Sequence, residues 1–129
     1  MFELTVTRRF AAAHRLDGYN GQCANLHGHT WVVELKVKGK QLDPCGMLLD
    51  FKILKKIVDE LINDFDHNCL NDLECFNGPQ GKINPTAENL AQYIYRKVKE
   101  ALSEICPGVT PHSVTVWESP DASARYRED

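Results

Sequence analysis

Between positions 50 and 105 the apolar residues recur at helical spacing twice in succession, with no strand-like alternation between the two runs. In "DFKILKKIVDELINDF" they fall at Leu54, Ile57, Val58, Leu61, Ile62 and Phe65, the stripe of an amphipathic helix. Asp50 stands where an N-cap is wanted, and the helix is expected to end near Asp64. In "NPTAENLAQYIYRKVKEALSEI" the stripe is Leu90, Ile94, Val98, Ala101, Leu102 and Ile105. Thr86 can cap this second helix, Glu88 complements the positive end of its dipole, and Cys106-Pro107-Gly108 stops it. Two helices in a row exclude a simple alternating chain of parallel strands.

Strand-like segments flank the helical pair. Phe2, Leu4 and Val6 alternate with Glu3, Thr5 and Thr7, and Trp31, Val33, Leu35 and Val37 alternate with Val32, Glu34, Lys36 and Lys38. "HSVTVWES" reads as a third strand with Val114, Val116 and Glu118 on one face, and "SARYR" offers a short fourth. The order is ββααββ. It predicts an α+β fold, an antiparallel sheet with two helices on one face. The edges of so small a sheet are commonly closed by oligomerisation. "HRLDGYNGQCANLHGH" is a loop or wide hairpin connection, and "NDLECFNGPQGKIN" is polar with two Gly-containing turns. No repeat or linker interrupts the chain, so residues 1–129 are expected to form a single domain.

Composition narrows the function. A net charge of −3 argues against broad nucleic-acid binding, which needs excess basic charge. No apolar run approaches 18 residues, and the first residues alternate where a signal peptide would be continuously apolar, so no membrane partner and a cytoplasmic location are expected. The five cysteines are odd in number and contain no C-x-x-C, which argues against a disulfide framework and a Cys-rich zinc site.

The chemistry gathers in "CANLHGHTW". His27 and His29 are two apart on a strand and share a face, and His14 can join them if the first two strands pair across the loop. Three imidazoles and an open position suit a catalytic zinc. Cys23 is open to three readings: a fourth ligand closing a structural site, a base beside the metal, or an ordinary buried thiol. His67, next to Asp66, is either a dipole-favoured helix terminus or a proton-exchanging imidazole oriented by a carboxylate. Glu118 either ends a solvated strand or faces a ligand with N–H donors.

Taken in order, these residues resemble a known family. His14, C-x-x-x-H-G-H at Cys23 to His29, "DFxxLK" from Asp50, "DH" at Asp66-His67, "NPTAENLA" from Asn84 and "VWES" near the end are similar to the 6-pyruvoyl- and 6-carboxy-tetrahydropterin synthases. The resemblance implies the tunnelling fold (T-fold), trimers closing into a barrel and pairing as hexamers, with sites at subunit boundaries. It implies Zn2+ on His14, His27 and His29, Cys23 as base, Asp66 and His67 as a proton relay, and Glu118 anchoring a pterin ring and serving the relay. Thr86 and Glu88 would also contact the pterin. The implied substrate is 7,8-dihydroneopterin triphosphate, and the "VWES…YR" ending points to the carboxy branch, whose product leads to the deazaguanine base of queuosine. Arg8, Arg9, Lys52, Arg125 and Arg127 are the cations that could meet the phosphates.

Overall fold

The computed structural model describes residues 1–129. Strand β1 (Phe2–His14) is followed by a short 3-10 turn (Gln22–Ala24), β2 (His27–Gly39), α1 (Phe51–Ile62) and a second 3-10 turn (Leu70–Asp72). A minimal hairpin, β3 (Asn77–Gly78) and β4 (Gly81–Lys82), precedes α2 (Ala87–Ile105), β5 (Val109–Ser119) and β6 (Ala122–Tyr126). The main sheet has the order β1-β2-β5-β6 and is antiparallel throughout. The expected ββααββ layout holds, with the helices consecutive.

The alternating residues of the strands decide which face is covered. Val6, Phe10, Trp31, Val33, Leu35, Val37, Val114 and Val116 are buried and join Leu54, Ile57, Val58, Leu90, Ile94, Val98 and Leu102 of the helices in one core. Asp50 caps α1 by accepting from Lys52 N–H at 2.8 Å, and Thr86 caps α2 by accepting from Asn89 N–H at 3.1 Å. Each cap satisfies one of the donors that a helix start leaves free.

Three expectations shift. Helix α1 stops at Ile62, two residues early, and Phe65 is buried from the turn that follows. Ile105 lies on the predicted stripe of α2 but is 52% exposed, being its last residue, while Ala91 and Tyr95 widen the buried stripe. The polar segment after α1 holds the β3–β4 hairpin. There Gly78 is needed for close approach, since a Cβ would meet the carbonyl oxygen of Glu74 at 2.7 Å.

Candidate metal centre and active site

The first two strands pair from Phe2 opposite Gly39 to His14 opposite His27, so the predicted third histidine lies directly across from the first of the H-x-H pair. The three rings meet edge to face, with centroids 4.6 Å (His14–His27), 5.1 Å (His14–His29) and 4.7 Å (His27–His29) apart. Trp31, fully buried, forms the floor. Its ring lies 4.9 Å from His14 and 5.2 Å from His29, and its indole N–H donates to the carbonyl of Ala12 at 3.2 Å.

Two of the imidazoles are oriented through Nδ1. His14 Nδ1 lies 2.7 Å from the carbonyl oxygen of Pro85, and His27 Nδ1 lies 2.7 Å from that of Asn25. A carbonyl only accepts, so each Nδ1 carries a proton, and in the neutral ring this leaves the lone pair on Nε2. Glu118 enters from β5, where the pairing with β6 shifts between Trp117 and Ser119 and leaves it the extra residue of a bulge. Its Oε1 lies 2.9 Å from His29 Nε2 and 3.3 Å from His14 Nε2. Neither contact is aligned as a hydrogen bond, and both nitrogens are buried without a partner. Buried polar atoms are seldom left so. One ligand atom from each of His14, His27, His29 and Glu118 lies within 4.8 Å of the others, a grouping that could hold a metal ion. Burial holds the His29 pKa below its ordinary value, against the opposing charge of Glu118, and favours the neutral, metal-ligating form.

The other predicted residues lie around this group. Cys23 is half-buried in the 3-10 turn before β2, and its thiol is not among the four clustered groups. After α1 the chain turns alongside the outer edge of β1. His67 N–H donates to Ala11 O at 2.6 Å and Ala13 N–H donates to Asn68 O at 3.0 Å. Asp66 Oδ1 accepts from Ala11 N–H at 2.9 Å, which with His67 holds this carboxyl below the usual range. Its Oδ2 lies 2.9 Å from His67 Nδ1, so the expected Asp–His pair is formed. His67 has φ +60°, the one positive φ outside glycine, and its side chain is 82% exposed. A backbone held there costs on the order of 1–3 kcal/mol and is typical of functional sites. His67 and His29 border the same open cleft of about 580 Å³. Thr86 spends one hydroxyl lone pair on its cap and keeps its O–H free to donate, and Glu88 is exposed in the same turn. Of the basic candidates, Arg8 is engaged in a two-pronged pair with Asp59 (2.7 Å on each arm) and Arg125 donates to Thr115 Oγ1 at 3.0 Å, whereas Arg9 and Lys52 are exposed.

A family model described as 6-pyruvoyl tetrahydropterin synthase matches residues 3–129. The chain belongs to the 6-pyruvoyl tetrahydropterin synthase family. Among its relatives in this family, a 6-carboxy-5,6,7,8-tetrahydropterin synthase of Bacillus subtilis is 36% identical, over 98% of this chain and 85% of that protein. One from Synechocystis is 38% identical, over 91% of this chain and 86% of its own. The solved 6-pyruvoyl tetrahydropterin synthase of Caenorhabditis elegans superposes with a TM-score of 0.82 at 30% identity, covering 99% and 96% of the two chains. The fold is the tunnelling fold of these synthases.

Asn84 enters the sequence analysis only as the start of a motif, with no role of its own, and Asn71 does not enter it at all. Both bond the backbone of the loop after His14. The Asn-Pro dipeptide at position 84, a turn-initiating signal, was the available hint for one of them. Nothing local pointed to the other.

Proposed function

We propose that the protein is a zinc-dependent 6-carboxy-5,6,7,8-tetrahydropterin synthase. It would convert 7,8-dihydroneopterin triphosphate and one water to 6-carboxy-tetrahydropterin, acetaldehyde and triphosphate, on the route to the 7-deazaguanine base of queuosine. The observation that carries this is the pair of buried, unpartnered Nε2 atoms of His14 and His29, gathered with His27 in one group. The donor set suits Zn2+, with His14, His27 and His29 as ligands. Bound there, zinc would supply a Lewis acid for the hydroxyl oxygens of the substrate side chain.

The remaining steps fall to the chain's own residues. Cys23 removes a proton from a side-chain carbon, acting as a thiolate base. His67, oriented by Asp66, carries protons between the thiol and the substrate. Glu118 accepts from the amino-amide edge of the pterin and also serves the relay, and the free Thr86 O–H and the Glu88 carboxylate add contacts at the start of α2. The redox change is internal to the substrate, so no organic cofactor is required. The same reading makes residues 1–129 one domain of a cytoplasmic homo-oligomer, a trimer or hexamer, with neither nucleic acid nor membrane as partner. No helix is long and apolar enough to cross a membrane.

The bacterial relatives support the carboxy branch, whereas the Caenorhabditis elegans structure favours a second reading, a 6-pyruvoyl synthase that keeps the three-carbon side chain. Incubating the zinc-loaded protein with 7,8-dihydroneopterin triphosphate, weighing the pterin by mass spectrometry and trapping any aldehyde separates them. A carboxy-pterin with acetaldehyde is expected. A retained side chain moves the protein to the pyruvoyl branch, and no turnover reduces it to a pterin- or zinc-binding module.

A further inference from the structure

Arg15, Leu16 and Asp17 leave β1 directly after His14, and each has its backbone held by a residue further along the chain. Asn71 Oδ1 accepts from Arg15 N–H at 2.9 Å, and its Nδ2 donates to Arg15 O at 2.9 Å. Two residues on, Asn84 repeats the arrangement. Its Oδ1 accepts from Asp17 N–H at 2.9 Å and its Nδ2 donates to Asp17 O at 2.8 Å. Between these clamps Leu16 N–H donates to the carbonyl of Cys23 at 2.9 Å. A primary amide offers a donor and an acceptor side by side, so it matches both backbone groups of a single residue. Asn71 sits in the 3-10 turn after α1 and is 8% exposed, and Asn84 precedes α2.

Asn84 has a second connection. Its own carbonyl accepts from Asn89 Nδ2 at 2.8 Å, and the next carbonyl, of Pro85, is the one that orients His14. One short segment therefore touches a histidine of the cluster through its backbone and the Cys23 loop through its side chain. The two asparagines tie the Arg15–Asp17 stretch to the helical half of the molecule.

We propose that Asn71 and Asn84 are positioning residues: they fix the backbone to which the Cys23 loop is bonded, and so set the thiol against the His14/His27/His29 cluster. The inference rests on the reading of Cys23 as the base. Misplacing a reacting group by about an ångström is enough to cost about a hundredfold in rate, whereas binding of the remote parts of the substrate is untouched.

The test uses the full-length, zinc-loaded protein and the variants N71A, N84A and N71D. Carboxamidomethylation by iodoacetamide is followed by peptide mass, with the rate at Cys23 divided by the rate at exposed Cys45 of the same molecule. Metal-site integrity is read from the ligand-field spectrum of the Co2+-substituted protein, and kcat and KM are measured on 7,8-dihydroneopterin triphosphate. In N71A and N84A the Cys23:Cys45 ratio is expected to shift by about fivefold or more. The kcat is expected to fall by about tenfold or more with KM within about threefold. N71A keeps the Co2+ spectrum. N71D, which retains the acceptor for Arg15 N–H, recovers part of the loss. A merely structural role would lower the unfolding temperature and leave the ratio and kcat of the folded protein unmoved. A ratio and kcat within about twofold of wild type in both alanine variants overturns the proposal. Should N71A fail to fold, N84A, at a half-buried position, decides alone. A wild type that does not turn over the substrate, with variants whose ratio still shifts, removes the reaction and leaves the positioning role standing. Normal turnover with an unmoved ratio does the reverse.

Discussion

Glu118 is the side chain for which a metal and the proposed pterin would compete. Its carboxylate lies beside two histidine nitrogens at a bulge in β5, and its side chain is only partly covered. Replacing it by glutamine keeps the shape and removes the charge. If the carboxylate serves the pterin, E118Q keeps its zinc, measured by chelator competition, and KM rises by about tenfold or more. Loss of zinc would instead make Glu118 a fourth ligand. A different titration marks Cys75 and Tyr93. Burial pushes the pKa of each up from its ordinary value. The folded protein then holds these protons longer than the unfolded chain, so their contribution to stability is complete at neutral pH and is lost as the pH rises past about 9 to 10. Urea midpoints at pH 7 and pH 10 should show a fall that C75A and Y93F each reduce. The histidines and Glu118 were legible in the sequence because strand alternation places them. Asn71 and Asn84 were not, because they bond backbone groups 56 and 67 residues away, and a backbone group leaves no mark in the sequence.

At the scale of elements, period carried the reading wherever an element was long enough to have one. Both helices and the first two strands were visible in this way. The β3–β4 hairpin was not, since strands of two residues have no alternation to detect. Strand β5 starts at Val109, earlier than expected, and runs through Pro111, a residue that argues against a central strand. The irregularity in its register with β2 opposite Lys36 and Val37 absorbs that proline. Helix α2 lies across β5 and β6, and Ile94 is fully buried at its centre. Ile94→Ala should destabilise the fold by about 2–5 kcal/mol, read from the urea midpoint at unchanged slope. Thr86→Ala should cost about 1 kcal/mol through the lost cap, and a rise in KM beyond that would locate its free O–H on the substrate.

The whole molecule has two open flanks. Strands β1 and β6 are the edges of the sheet, and only the far end of β1 is covered, by residues 67–69. Near the start of β1, Phe2, Leu42, Met47 and Phe51 are exposed together around a small apolar cleft. Unpaired edges beside exposed apolar side chains are what association would cover. Light scattering at micromolar concentration should return three or six times the 14.6 kDa of the chain, and a mass of one chain would remove the oligomer from the proposed function.

Trp31 gives the fold a built-in optical gauge. The chain has two tryptophans, one sealed beneath His14 and His29 and the other, Trp117, partly open to solvent on a neighbouring strand. Their emission should therefore separate into a blue component from the sealed indole and a redder one from the wetted indole. Any cation settling among the imidazoles would place its charge beside the first indole, so the blue light would register what the histidines hold.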